Sequence, residues 1–513
     1  MALAVNAKTD ALHLTYDHAP LRNDEIRVLY LEPAANLADP LFCRIDIISL
    51  SQCQERDQYR ALSYAWGPVH NDGTHLTDTI ACDDRQIPIT TNLAQALRRL
   101  RNSMHSNEPE PIDTSYFNST IVPAPKPPSK WLWVDAICIN QLDTAERSEQ
   151  VSLMAKIYER SERLEVWLGE MSPDPAMEAL EHELLSTMRD KSSWYERSQL
   201  PSLAAHIFFQ RPWFHRRWVL QEYRLSGEVW WRLGEYTLQF WGGRLHDLLN
   251  VRGGPTNIQL LAYEQDPRPL LCELQHSRHL QCSLPHDLVY ALLHISMNNP
   301  KIPVDYAMAV EDLYITVATQ LTTRSTPMLQ TLLACATAFR SCNVPSWVPD
   351  WRACYDERSL IREHDACIQY ICWHATRDEK SSEPPIPPAA EVNGRALLVQ
   401  GYILQPCFPP LHDAFGTCKT CRLATHPWKT SWSNALKSSL STMITKKEVL
   451  LMLKDHNDIS IAYVLTPFEQ VTSSLGRPTF QLNGLCFQIP FQSQIPFQRY
   501  QAQLPALSTI MLV

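Results

Sequence analysis

Residues 131–141, WLWVDAICINQ, form a near-continuous apolar run that is interrupted at Asp135 and opens into a polar loop with Asn140 and Gln141. This is the pattern of a strand buried on both faces, which belongs to the interior of a parallel sheet flanked by helices. Its polar end then delivers side chains to the sheet edge. A second stretch, Arg211–Glu222 (RPWFHRRWVLQE), sets a carboxylate among aromatic residues on an expected helix spanning about residues 203–225.

The elements around these two stretches alternate. Residues 26–50 predict a hairpin, Tyr59–Gly67 (YRALSYAWG) a strand ending in a turn, and 79–89 a further hairpin. Leu93, Ala96, Leu97 and Leu100 share a helical face, with Asn92 as the expected cap. The strand at 131–138 is followed by a helix over 144–162, opened by the Asp143-x-x-Glu146 capping box. LEVWLG at 164–169 is the next strand, and 228–240 is β-like. Residues 101–130 and 170–200 read as insertions, the second with an amphipathic helix.

Strand–helix alternation of this kind predicts an α/β domain over 26–245, with a parallel, flavodoxin-like or TIR-like sheet flanked by helices. A mostly helical extension over 246–380 follows. SSEPPIPPAA at 381–390 is a linker by composition. Residues 391–513 are weakly patterned and receive no fold assignment.

Composition narrows the function. A net charge of -9 excludes a general grip on nucleic acid. With 14 glycines and no GxGxxG or Walker pattern, a phosphate-cradling loop is not expected. No apolar window is long enough for a membrane span, and the first residues lack a signal-peptide pattern. The 15 scattered cysteines therefore read as reduced thiols of a cytoplasmic protein. Cys418-x-x-Cys421, with Cys407, His412 and His426 nearby, is a single CxxC without a second pair, so surface thiols are favoured over zinc and no metal site is assigned. No cofactor is required. Cys138, inside the buried strand, is read as packing.

Five segments in order, YRALSYAWG, VDAICINQ, ERSEQVSLMAKIY, VWLGE and PWFHRRWVLQE, resemble the fungal heterokaryon incompatibility (HET) domain. CSLPHDLVYALL, VDYAMAVEDLY and VPSWVPDW extend the resemblance, which covers residues 26–352. The chain departs from the family at Leu284–Leu288, where a charged Asp-Pro-Arg-Asp-Lys stretch is usual, and lacks the expected glycine-rich tail segment. The resemblance implies nonself recognition between fungal cells, ending in growth arrest or cell death. The HET domain is itself similar to the TIR fold. The Trp218-to-Glu222 spacing resembles that of TIR enzymes that hydrolyse NAD, which implies NAD as a candidate substrate.

Each candidate residue carries two readings. Glu222 shares a helix face with Trp218, Val219 and Leu225. It is either the catalytic carboxylate that steadies an oxocarbenium-like ribose or half of an ion pair with Arg216, Arg217 or another strand-end group. Asp135, Asn140 and Gln141 either grip a ligand or tie down the loop. Tyr64 and Trp66 either stack on a base or pack, and Gly67 serves a ligand or the turn. Arg216 meets a phosphate or a carboxylate. Two functions follow: a nucleotide-hydrolysing site switched on by self-association, or a non-catalytic module whose output is assembly with protein partners.

Overall fold

The structure, a computed structural model, describes residues 16–52, 59–66, 76–104, 129–189, 208–239, 268–297, 301–322, 329, 332–333, 335–336, 343–352, 390–393, 396–404, 449–453, 460–467, 479–489 and 508–512. The chain divides into two compact units. The first comprises Met1–Pro267, His279–Ile295 and Pro303–Ala307; the second comprises Arg268–Arg278, Ser296–Ile302 and Met308–Val513.

The first unit is built on a nine-stranded sheet. Strands β1 (Glu25–Leu31) and β2 (Phe42–Ser49) form the hairpin expected from residues 26–50, with Glu25 opposite Ser49 and Leu31 opposite Cys43. β3 (Arg60–Tyr64) is buried throughout. β4 (Asp78–Cys82) and β5 (Arg85–Ile89) form a second hairpin, turned through Asp83 at φ 51. Aspartate tolerates that left-handed conformation better than most side chains. β6 (Trp131–Trp133) and β7 (Leu164–Trp167) follow, then the hairpin of β8 (Val229–Leu233) and β9 (Tyr236–Gln239), turned through Gly234 at φ 54.

The strand order is β5-β4-β2-β1-β6-β3-β7-β8-β9. β6, β3, β7 and β8 run parallel to their neighbours within that block, and β2 is parallel to β4. β1 is antiparallel to both β2 and β6, and the two outer hairpins are antiparallel. The fold is α/β, but the sheet is mixed rather than parallel as expected. The cause is local: strands joined directly as a hairpin pair antiparallel, and three hairpins, two of them tight (β4–β5 and β8–β9), flank the parallel block.

Helices cover both faces. Helix α1 (Thr91–Ser103) buries Leu93, Ala96, Leu97 and Leu100 with Leu62, Tyr64 and Leu132 in one core. Helix α2 (Asp135–Cys138) is a single turn; the expected strand over 131–138 ends at Trp133, and the amide of Cys138 bonds the Val134 carbonyl at 2.7 Å. Cys138 is buried as expected, but on this turn. Helix α3 (Thr144–Arg160) starts at the predicted cap: the Asp143 carboxylate accepts from the amides of Ala145 and Glu146. Glu146 does not complete the box but pairs with buried Arg27 and accepts the Asn140 amide. Tyr158 of α3 meets Trp133 edge to face at 5.5 Å, on the sheet face opposite Leu132. Helix α4 (Pro175–Arg189) is the amphipathic helix of the second insertion.

Over its described part, residues 208–225, the expected helix of 203–225 is broken rather than continuous. A 3₁₀ turn at Pro212–His215 is separated from α5 (Val219–Leu225) by Arg216 in extended conformation, φ -85 and ψ 138. Gln281 exploits that break: its amide donates to the His215 carbonyl at 2.7 Å, and its carbonyl accepts from the Arg217 amide at 2.9 Å.

Helix α6 (Leu270–His276) belongs to the second unit, the single turn α7 (Asp287–Tyr290) to the first, and α8 (Val310–Thr322) to the second. In the second unit Trp351 meets Tyr314 of α8 at 4.8 Å, and Arg352 pairs with Asp350 and Glu311. Six strands follow: β10 (Ala390–Asn393), β11 (Ala396–Leu404), β12 (Val449–Leu453), β13 (Ser460–Pro467), β14 (Thr479–Ile489) and β15 (Ser508–Leu512). β11 pairs with both β12 and β15, and β14 pairs with β15, so β11 to β15 close into a ring. Gly67, the CxxC segment with its neighbouring histidines and most of the 381–390 linker lie outside the described residues. Among the described residues no helix is long and apolar enough to cross a membrane.

Candidate functional site

The carboxyl ends of β3 and β6 adjoin, because the two strands are parallel neighbours. Alternation along β3 sends Ser63 to the face that carries Trp133, and Tyr64 to the face covered by α1. Asp135 opens α2 two residues beyond the end of β6. The extended backbone at Arg216 then swings its guanidinium toward these strand ends, and α5 brings Glu222 beside them.

Glu222 is 2 % exposed. One of its oxygens accepts a hydrogen bond from the Ser63 hydroxyl, and the other lies 3.6 Å from the Arg216 guanidinium. Ser63 in turn accepts from the indole N–H of buried Trp213 at 2.6 Å. Arg216 also donates to the Tyr64 carbonyl. Trp66, 38 % exposed, donates its indole N–H to Asp135 at 2.9 Å. Arg216 is thus paired with Glu222, and its charge also acts on Asp135.

Burial raises the Glu222 carboxyl above its ordinary value; Arg216 and the Ser63 hydroxyl pull it back, and the charge of Asp135 pushes it further up. Asp135 is likewise raised by burial, against the opposing pull of Arg216. Arg216 loses by burial but gains more from the two acids, so its charge is held firmly. The Tyr64 phenol is raised well above its usual range by burial and by Asp135. This is a carboxylate–guanidinium–carboxylate cluster able to bind an anion at Arg216, or to hold a proton on one of its acids.

The structure brings together Glu222, Arg216, Asp135, Tyr64 and Trp66. Asn140 and Gln141 brace the loop: the Asn140 side chain accepts the Leu142 amide at 3.2 Å, and Gln141 donates to the Asp135 carbonyl at 3.0 Å. Trp218 leads away from the cluster to Asp287, an acid raised by burial and steadied by hydrogen bonds from Tyr306 and Trp218. Arg217 donates to the Leu288 carbonyl at 2.7 Å. Sequence reasoning missed Ser63 and Trp213. The signal for Ser63 was a lone hydroxyl in an otherwise apolar strand end.

Residues 59–222 match the family model described as heterokaryon incompatibility protein (HET). That interval begins one residue before β3 and closes on Glu222. Heterokaryon incompatibility protein 6, OR allele, of Neurospora crassa is similar to this chain, 28 % identical over 269 residues. The match covers 44 % of this chain and 36 % of that protein, so it spans well under two thirds of the relative's length. No solved structure matches.

Proposed function

We propose that this chain, whose residues 59–222 are a HET-family segment, acts in fungal nonself recognition and drives growth arrest or cell death when triggered. One observation within the protein supports a site behind that output: Arg216 pairs with Glu222 and acts on the charge of Asp135 where parallel strands end. Ligands of open α/β sheets bind at such edges.

The finer reading is a TIR-like, nucleotide-hydrolysing site in a cytoplasmic protein, with NAD as substrate and self-association as the trigger. Arg216 meets a phosphate, Trp66 stacks on a ring, and Glu222 engages the ribose. In the reaction the bond between ribose C1 and the nicotinamide nitrogen breaks, and its electron pair leaves with nicotinamide. Water adds hydroxide to C1 and releases a proton. A carboxylate steadies the cationic ribose between those events. Because Glu222 is engaged by Ser63 and Arg216, the reading includes an opening step in which the ligand's phosphate draws Arg216 off the glutamate.

The burial of Glu222 in an ion pair favours a second reading, an assembly module without chemistry. The experiment that separates them incubates the oligomerised protein and its Glu222→Gln variant with NAD and measures nicotinamide. Release by the parent and not by the variant supports hydrolysis. Release by neither removes NAD as substrate, and equal release by both removes Glu222. Growth arrest on expression in a fungal host, retained by Glu222→Gln, supports the module.

A further inference from the structure

Two cysteines outside the candidate site face each other across neighbouring strands. Cys43 in β2 and Cys82 in β4 are register partners in a parallel pairing. Adjacent strands lie about 4.8 Å apart, and register partners direct their side chains to one face of the sheet. That spacing falls inside the range of about 4.4–6.8 Å over which a disulfide joins two Cα atoms.

Both residues are buried in the core beneath α1, Cys43 at 3 % and Cys82 at 0 % exposure. Their thiols are hydrogen-bonded to each other. That bond pulls Cys82 below the ordinary thiol value and, with burial, holds Cys43 above it. The thiolate is the reactive form of such a pair. Cys82 ends its strand immediately before the exposed Asp83–Asp84 turn.

The location gives the pair a consequence. The β4–β5 hairpin joins the sheet through β2, and that join has only two register pairs, Phe42 with Ala81 and Cys43 with Cys82. A covalent bond there fastens the hairpin where its pairing is shortest. Cys138 is the competing thiol: its charge also acts on Cys43, but its own thiol is pushed by burial up to about 12.

We propose that Cys43 and Cys82 are a reversible redox-modification site that a small peroxide converts to a disulfide. The Cys82 thiolate attacks one peroxide oxygen and the O–O bond breaks. The departing hydroxide leaves as water, and Cys82 becomes a sulfenic acid. The Cys43 sulfur then attacks the Cys82 sulfur, the S–O bond breaks, and the hydroxyl leaves as a second water with the Cys43 proton. The two thiols lose two protons and two electrons, and one peroxide becomes two waters. Among the described residues the cysteines are free thiols, so such a bond has the character of a sensor rather than a frame. The proposal is independent of the nucleotide reading.

The test treats the reduced full chain with hydrogen peroxide, blocks remaining thiols with N-ethylmaleimide, and maps tryptic peptides by mass spectrometry without reduction. The expected result is the Cys43 and Cys82 peptides joined, two hydrogens lighter than their sum, and separated by dithiothreitol. Recovery of both as single maleimide adducts overturns the proposal, as does Cys43 joined to Cys138. The parent protein suffices for this mapping. A Cys43→Ser variant adds a direction: dimedone is expected to trap a sulfenic acid on Cys82, and a Cys82 that remains unmodified there contradicts the proposed order of attack.

Discussion

Glu165 and Glu222 are both buried, yet their surroundings push them opposite ways. Burial would raise Glu165, but Arg163, Arg232 and Arg60 overcome it and hold the carboxyl far below its ordinary range. Its ionised form is therefore preferred in the fold. The stability it contributes is complete above the unfolded value of about 4.3 and is lost as pH falls toward the folded value. Glu222 is raised by burial, so the fold prefers its protonated form, and stability declines as pH climbs through its folded value. Glu165→Gln is expected to cost about 3–5 kcal/mol at pH 7, because it removes the charge that three buried guanidinium groups share, with the cost shrinking below about pH 4. Glu222→Gln leaves Arg216 its bond to the Tyr64 carbonyl and an amide oxygen to accept from Ser63, and is expected to cost about 1 kcal/mol. Guanidinium denaturation of both variants at pH 7 and pH 4 checks this; equal costs at pH 7 would mean that the two sites are not distinguished by their partners. The residues also differ in how readable they were. Glu222 announced itself as an acid in an aromatic stripe beside two arginines, and the fold selects Arg216 while sending Arg217 to the Leu288 carbonyl. Glu165 sat unremarked inside LEVWLG, because its partners come from β3, β8 and the residue before β7, and only register across the sheet gathers them.

Elements whose signal is local were legible, and those shaped by a distant partner were not. Asp143 begins α3 as its spacing predicts, and the hairpins at 26–50 and 79–89 follow from alternation around turn residues. The break at Arg216 has no comparable signal, since it is held open by Gln281. Helix α1 shows the same division in one turn. Asn92 was the expected cap, but Thr90 takes that position and accepts the Leu93 amide at 3.2 Å. Asn92 is used across the fold instead: its amide donates to the Ala65 carbonyl at 2.6 Å, and its oxygen accepts from the buried Trp167 indole at 2.9 Å. It therefore ties the start of α1 to the ends of β3 and β7. Thr90→Ala is expected to cost about 1 kcal/mol, the loss of an ordinary cap. Asn92→Ala leaves a buried indole N–H and a carbonyl unmatched, and is expected to cost about 1–3 kcal/mol. Chemical denaturation of the two variants ranks them, and a larger loss for Thr90→Ala would return Asn92 to a minor part.

On the scale of the whole chain, a strand–helix pattern specified an α/β unit but could not reveal where that unit is completed. The first unit takes in His279–Ile295 and Pro303–Ala307 besides the residues up to Pro267. These returning segments supply partners to the turn region that carries the site. Gln281 holds both sides of the Arg216 break, Leu288 accepts from Arg217, which is 1 % exposed, and Asp287 receives Trp218 and the Tyr306 hydroxyl. Tyr306 also lies under the Arg147 guanidinium at 4.4 Å, and its amide donates to Ser148, so α3 is gripped as well. None of these interactions has a periodic signature, because each joins a loop to an element far away in sequence. A fragment ending at residue 245 keeps the nine strands of the sheet but removes Gln281, Asp287, Leu288 and Tyr306. Stranding a buried polar atom costs more than its hydrogen bond contributes when intact, because the atom stays out of water with nothing to replace its partner. That fragment is expected to lose its cooperative unfolding transition, while one ending at residue 307 keeps it. Tryptophan fluorescence during urea titration reads the difference directly, since Trp213, Trp218 and Trp231 lie along the affected face. If the shorter fragment unfolds cooperatively at the same midpoint as the longer one, the returning segments do not hold the site, and the Arg216 break must be sustained by the sheet alone.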